Sequence, residues 1–337
     1  MRHRTATALF TVLLAAVLAG CGDDDGADDN ASGSASASAS VAAVEGDEGD
    51  DHEASAGDGD YEPVSDVDAH AAIGGDIAAI KDLLAAAKEG APVDWDAVGE
   101  VYEGGGASVK GDGTNRTLAT LVGAPDVADR IEAAIAGTGE LVGSSDGVRA
   151  QHVDKGISVL LQRKVVDELA AAQAKLADDD TDPASGAPHN VDEAWAFFTA
   201  EGNGLAATAD KRAADFEREG EVREPVVTAL AAAQQASLDG DGDAFAEAAA
   251  EVDDALAYIF YLATHKYLDA DDEVGLAEGA AFYAGIQPRV AAASPEADAT
   301  ITAAFAGDGS SEAGQEALHR PEVLEALAVD DEQREDD

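Results

Sequence analysis

From Ser65 onward, apolar residues recur at intervals of three and four and scarcely alternate, so the pattern predicts helices and no sheet. Ile73, Ile77, Ile80 and Leu84 share one face of a helix predicted over residues 66–88, which Gly90 and Pro92 stop. Asp94 can cap a short helix through Tyr102, ended by Gly104 to Gly106; after a polar turn at 109–113, short helices are expected at 114–121 and 126–136. The longest stripe is Ile157, Leu160, Leu161, Val165 and Leu169, inside a helix predicted within 146–176. Beyond a polar loop, Pro188 opens another helix. In it Asn190 can cap, Asp192 and Glu193 fall in the first turn, and Trp195, Phe197 and Phe198 follow. Further helices are expected at 221–237, 243–267 and around Glu278, the last broken by Pro288, with terminal helices at 298–305 and 321–327. The fold class is therefore all-α, a helical bundle.

Two stretches of this pattern echo each other. Glu193, Phe197 and Phe198 are matched in type and spacing by Glu278, Phe282 and Tyr283. With Asp154 set against Asp253, Leu160, Leu161 and Gln162 fall on Ile259, Phe260 and Tyr261, and Glu168 falls on Tyr267. The expectation is a duplicated helix-pair unit, about 146–217 and 243–305, packed about a pseudo-two-fold axis with its carboxylates directed at a common interior point.

Inward carboxylates and imidazoles are how helical bundles build metal sites. On that reasoning the leading candidate metal ligands are Glu193, Glu278, His152 and His265, followed by His189, Asp192, Glu251 and the phenols Tyr261 and Tyr283. Such hard oxygen and nitrogen donors suit iron, with manganese or zinc as alternatives. Each residue has a plainer reading. Asp192 and Glu193 can simply complement a helix N-terminus, and His265 can be a hydrogen-bonded core residue. His70 and His319 read as surface residues. The chain carries none of the Gly-x-Ser-x-Gly, His-Glu-x-x-His or Gly-x-Gly-x-x-Gly signatures, so no catalytic residue is assigned and the protein is not expected to be an enzyme.

Charge and the N-terminal segment set the address. Seventy acidic residues against 20 basic ones give a formal net charge of −50, spread along the chain, which argues against nucleic acid or anionic lipid as a ligand. It is compatible with attracting cations, although a saline habitat gives a similar composition. Arg2 and Arg4 precede an apolar run at 6–19, which reads as a secretory signal over residues 1–20. Leu18, Ala19, Gly20 and Cys21 then resemble the bacterial lipobox, implying lipidation of Cys21 and a membrane anchor; the alternative is a soluble secreted protein with one stray thiol. Cys21 is the sole cysteine, which excludes an intrachain disulfide and a cysteine-based zinc site. Residues 21–60 lack large apolar side chains and are expected to be a disordered acidic tether ahead of a helical domain at 61–328, with an acidic tail at 329–337.

At Val109 to Leu118, at Ala187 to Phe198 with its Pro-His-Asn-Val-Asp-Glu-Ala-Trp block, and at Thr208 to Arg212, the chain resembles the Fe-assimilating, low-iron-inducible periplasmic proteins of algae and their bacterial lipoprotein relatives. The resemblance runs from about residue 61 to about 305. It implies an extracytoplasmic protein that captures iron and passes it to a separate transporter. The family has also been linked to growth in high carbon dioxide, which leaves the ligand open. Two classes of function stand: a metal-binding surface lipoprotein, and a helical surface protein that binds a protein partner and has a purely structural core. An imelysin-like module is a third, and its Gly-x-His-x-x-Glu pattern is absent.

Overall fold

The computed structural model describes residues 61–123 and 125–329. The predicted leader, Cys21, the tether and the tail from residue 330 lie outside these described residues. Regular structure among them is helical, and the one β feature is an isolated bridge between Val109 and Asn115. The chain runs through α1 (Asp68–Ala71), α2 (Ile73–Lys88), α3 (Trp95–Gly104), α4 (Pro125–Ala136), α5 (Asp146–Ala177), α6 (Ala187–Thr199) and α7 (Leu205–Asp215). It continues through α8 (Glu224–Asp239), α9 (Gly242–Leu268), α10 (Glu273–Ala293), α11 (Pro295–Phe305), α12 (Ser311–Leu318) and α13 (Pro321–Ala326).

The axis of the bundle is α5. Ser145 caps it by accepting from the Val148 amide, and its buried residues, from Val153 and Ile157 through Leu160, Leu161 and Val165 to Leu169, fall on more than one face. It is therefore enclosed, packing on α4, α6, α10, α2 and α9. Where α5, α9 and α10 meet, a Cβ on Gly285 would stand 2.5 Å from Phe260 Cδ1, so only glycine admits that approach. The pairs α5–α6 and α9–α10 each pack together. That packing alone does not establish them as copies of one unit.

Several expected boundaries move, each for a local reason. The predicted 66–88 helix is interrupted at Ala72, just before Gly74 and Gly75, which weaken helix continuity. A Cβ on Gly74 would lie 1.9 Å from the Ala200 carbonyl oxygen, so this glycine lets the start of α2 rest on the end of α6. The helix at 114–121 reduces to a 3-10 turn at Leu118–Thr120. Pro288 does not break α10, which continues to Ala293. The ring sits beside a cavity of about 40 Å³ lined by Ala281, Ala284, Gln287 and His152, and packing against α5 and α9 holds the helix through it. Two helices, α7 and α12, were not anticipated; Ser310 caps α12 through the Ala313 amide.

The start of α6 matters most for the site. It begins at Ala187, after a turn in which the Gly186 amide donates to the Asp182 carbonyl, and Pro188 occupies its first turn. Asn190 is therefore not the cap, and Asp192 and Glu193 lie beyond the first turn, which holds no acid. The helix-dipole explanation for these two carboxylates falls away.

Candidate metal centre

Three elements bring one polar cluster together inside the bundle. From α6, His189 and Glu193 stand at i and i+4, so both side chains leave the helix on the same face; α5 contributes Glu168, and α1 contributes His70. His70 Nε2 and His189 Nε2 both approach Glu193 Oε1, at 3.1 and 3.0 Å. Asn190 Nδ2 donates to Glu168 Oε2 at 2.6 Å and reaches Glu193 Oε2 at 3.4 Å. The Glu168 and Glu193 carboxyl groups hydrogen-bond each other, and the Lys164 ammonium donates to Glu168 Oε1 at 2.5 Å. The Phe197 ring closes one side, edge-on to His70 at 5.8 Å.

These contacts dictate where the protons sit. The Ser65 hydroxyl donates to Asp192 Oδ2 at 2.7 Å, so at the 2.8 Å contact between Ser65 Oγ and His189 Nδ1 the imidazole must be the donor. His189 Nε2 donates to Glu193, which makes His189 an imidazolium. The hydrogen bond with Glu193 outweighs burial and raises its pKa accordingly. Burial opposes charge on Glu193, but hydrogen bonds from His189, His70 and Glu168 outweigh it and hold this carboxyl well below the ordinary range. Glu168 goes the other way: burial and then the adjacent Glu193 charge push it up to about 7, against the pull of Lys164. The pair thus keeps one shared proton near neutral pH. Two buried atoms of the cluster, His70 Nδ1 and Asn190 Oδ1, have no hydrogen-bond partner.

Asp192 is fully buried and belongs to the support of this cluster. It accepts from Tyr61 Oη at 2.7 Å, from the Val64 and Ser65 amides at 2.9 and 2.8 Å, and from Gln234 Nε2 at 2.7 Å, besides Ser65 Oγ. Tyr61 also stacks on Trp195 with ring centroids 4.6 Å apart. The segment ahead of α1 is thereby fastened to α6 and α8. Through Ser65 the same anchor orients the His189 ring.

The remaining sequence candidates do not join this cluster. Glu278 meets Lys155 Nζ at 3.3 Å, and Lys155 is held at 2.6 Å by Asp154; Glu278 also hydrogen-bonds Tyr267. Glu193 and Glu278 share no partner among these contacts, so the expected convergence of the two is not seen. His152 lines the small cavity beside Pro288, and burial drops its pKa to about 4. Tyr283 donates to Asp298 at 2.9 Å, and burial raises its phenol pKa. Glu251 is exposed within α9, beside Glu221 and, at the start of α8, Glu224. His265 and Tyr261 form a separate aromatic group with His319, their ring centroids 6.2 Å apart.

Two members of the cluster were not foreseen. His70, expected at the surface, is 7 % exposed, because Phe197 and His189 cover it from α6. Glu168 gave a faint signal, an acid one residue before Leu169 of the apolar stripe. Among the described residues, no three His, Cys, Asp or Glu side chains stand arranged as a ready-made metal cage. The donors are closed on one another by protons.

Fold and cluster together define an all-α protein that buries two imidazoles and two carboxylates in mutual contact. The chain belongs to the family of low iron-inducible periplasmic proteins, whose family model matches residues 34–219. That description gives it an extracytoplasmic, periplasmic location. The matched segment contains His70, Glu168, His189, Asp192 and Glu193, whereas Glu278, Tyr261, His265 and His319 lie beyond it. No curated protein and no solved structure matches the chain.

Proposed function

We propose that this protein captures iron as its cargo at the cluster of His70, His189, Glu193 and Glu168, and acts by binding and release without bond chemistry. The observation that carries the proposal is the pair of imidazoles converging on one carboxylate oxygen beside a second carboxyl that titrates near neutrality. Imidazole and carboxylate donors match the preferences of iron, and of manganese or zinc less selectively. The unpartnered His70 Nδ1 and Asn190 Oδ1 add a lone pair and an amide oxygen to the available donors. His189 and Glu193 keep 17 % and 14 % side-chain exposure, which leaves the ion an entry edge.

On this reading the protons that close the cluster are what the metal replaces. His189 must lose a proton to offer a nitrogen lone pair, and Glu168 must ionise, so capture requires pH above about 7 and fails in acid. The Asp192 anchor holds the His189 ring while the exchange occurs. A lipid on Cys21 would keep the domain at the membrane, where a separate transporter can receive the ion.

Calorimetric titration of the protein with ferrous, ferric, manganese and zinc ions at pH 6 and pH 8 tests the proposal. One saturable equivalent assigned to this cluster by its loss in Glu193→Gln is expected at pH 8, weakened at least tenfold at pH 6. Equal, unsaturable uptake at both pH values would place the metal on the acidic surface, and no uptake at either would favour the structural core of a partner-binding protein.

A further inference from the structure

At the far end of α9, three rings meet that the cluster above does not use. His265 and His319 have ring centroids 5.0 Å apart, and Tyr261 lies 6.2 Å from the first and 6.3 Å from the second. Phe216 covers His265 at 5.8 Å, and Tyr261 is fully buried. His265 stands four residues after Tyr261, so the two rings leave α9 on one face, while His319 ends α12 and is brought in by tertiary packing. Gln315, also on α12, donates its amide nitrogen to the His265 carbonyl at 2.8 Å.

Two polar atoms in this group point to a ligand. His265 Nδ1 and Gln315 Oε1 are buried and have no hydrogen-bond partner. A buried acceptor left so costs about 1–3 kcal/mol unless something supplies the missing contact. Two imidazoles on one ion hold their nitrogens about 2.0–2.1 Å from it, which sets the rings about 5 Å apart or slightly more. The observed 5.0 Å separation of the ring centroids falls in that range.

We propose that His265, His319 and Tyr261 form a second transition-metal site that binds ferric iron through two imidazoles and a phenolate. Each histidine gives a ring-nitrogen lone pair. Tyr261 loses its phenolic proton to solvent as the Fe–O bond forms, with no change of iron oxidation state. The buried Gln315 amide oxygen, on a side chain whose nitrogen is tied to the His265 carbonyl, would be a further hard donor. The site shares no residue with the His70–Glu193 cluster and lies beyond the family-matched segment, so it stands or falls independently of that reading.

The test is ferric citrate added to the whole protein, followed by visible absorption. Phenolate-to-iron charge transfer is expected in the unmodified chain and in Glu193→Gln. Tyr261→Phe should lose the band, and His319→Asn should weaken ferric binding at this site by about tenfold or more. His319 is only half-buried at a helix end, so His319→Asn tests the site even if the buried Tyr261→Phe proves poorly folded by circular dichroism. Absence of the band in the unmodified chain, or an unchanged band and affinity in His319→Asn, would overturn the proposal.

Discussion

Glu193 lies among imidazoles and Glu278 beside the Lys155 ammonium, and the proposed metal capture rests on that difference in company. Both acids sit near aromatic residues on core helices and both are largely withdrawn from water, with 14 % and 12 % side-chain exposure. Around Glu278, burial works against the Lys155 charge, but Asp154 and Glu278 outweigh it and hold the ammonium above lysine's ordinary range. Such a group keeps its proton at any physiological pH, and the ion pair stays closed. Around Glu193 the partners are two histidines, of which His189 has its pKa raised by the Glu193 hydrogen bond, and a carboxyl pushed up to about 7. Burial of an acid is thus not by itself a mark of a cation site; the proposal rests on the acidity of what Glu193 is buried against.

The largest effect is expected from neither glutamate. Asp192→Ala would leave the Tyr61 and Ser65 hydroxyls, the Val64 and Ser65 amides and Gln234 without their common acceptor. A loss of about 3–5 kcal/mol in urea unfolding is expected, together with weaker iron capture because Ser65 no longer fixes His189. Stability unchanged within about 0.5 kcal/mol would mean that the segment ahead of α1 is not fastened as described.

Next comes the direct contrast of the two glutamates. Glu193→Gln should lower metal affinity at pH 8 by about 100-fold, while Glu278→Gln should leave it within about threefold and instead cost about 1–3 kcal/mol of stability by leaving Lys155 with Asp154 alone. Isothermal titration and urea melts on the same two variants read both quantities. Equal losses of affinity would erase the distinction drawn between the clusters.

The proton balance of the metal-free protein gives a third, smaller signal. Glu168 has a raised folded pKa, so it binds its proton more tightly when folded, and its contribution favours the fold as pH falls from above 7 towards its unfolded value. His189 is also raised; its stabilisation is present below the unfolded histidine value and fades as pH rises through the folded one. Both signs agree, so the metal-free protein should gain on the order of 1–2 kcal/mol between pH 8 and pH 6.5. Below that, His152, depressed to about 4 by burial, begins to oppose the trend. Saturating iron should reverse the slope, because the bound ion requires the same protons to leave. A flat thermal melting profile across this window, with and without iron, would show that the cluster does not exchange them.

How much of this was legible follows from what each residue's signal depends on. The helical class and the extent of α5 rest on a local repeat of 3.6, and the stripe of Ile157, Leu160, Leu161, Val165 and Leu169 carries it unaided. The nature of Glu193 was half legible: an acid ahead of Trp195, Phe197 and Phe198 stands out, but Asn190, Asp192 and Glu193 are also the residue types that open helices. The turn from Asp182 to Gly186 decides between those readings, and its backbone hydrogen bonds leave little trace in residue type. His70 belongs to a four-residue polar helix with no stripe, and only contacts with residues distant in the chain bury it. Glu168 forms an i, i+4 pair with Lys164, a spacing that on its own describes a solvated helix face.

Lys164 supplies the smallest and sharpest adjustment, since an ammonium on a carboxylate occurs in both clusters. Its Nζ lies 2.5 Å from Glu168 Oε1 and draws that carboxyl down against burial and the Glu193 charge. With 22 % side-chain exposure it is partly screened, so Lys164→Gln should raise the Glu168 midpoint by less than about one pH unit, equivalent to about 1 kcal/mol. The pH midpoint of iron capture should move alkaline by the same amount. Above that midpoint, removal of a positive charge beside the ion should tighten binding. Iron titrations of Lys164→Gln at half-unit steps from pH 6 to pH 9 should therefore cross the curve of the unmodified protein, weaker below and tighter above. A curve shifted uniformly in either direction would mean that Lys164 acts only as a distant charge, and that Glu168 does not gate the ion.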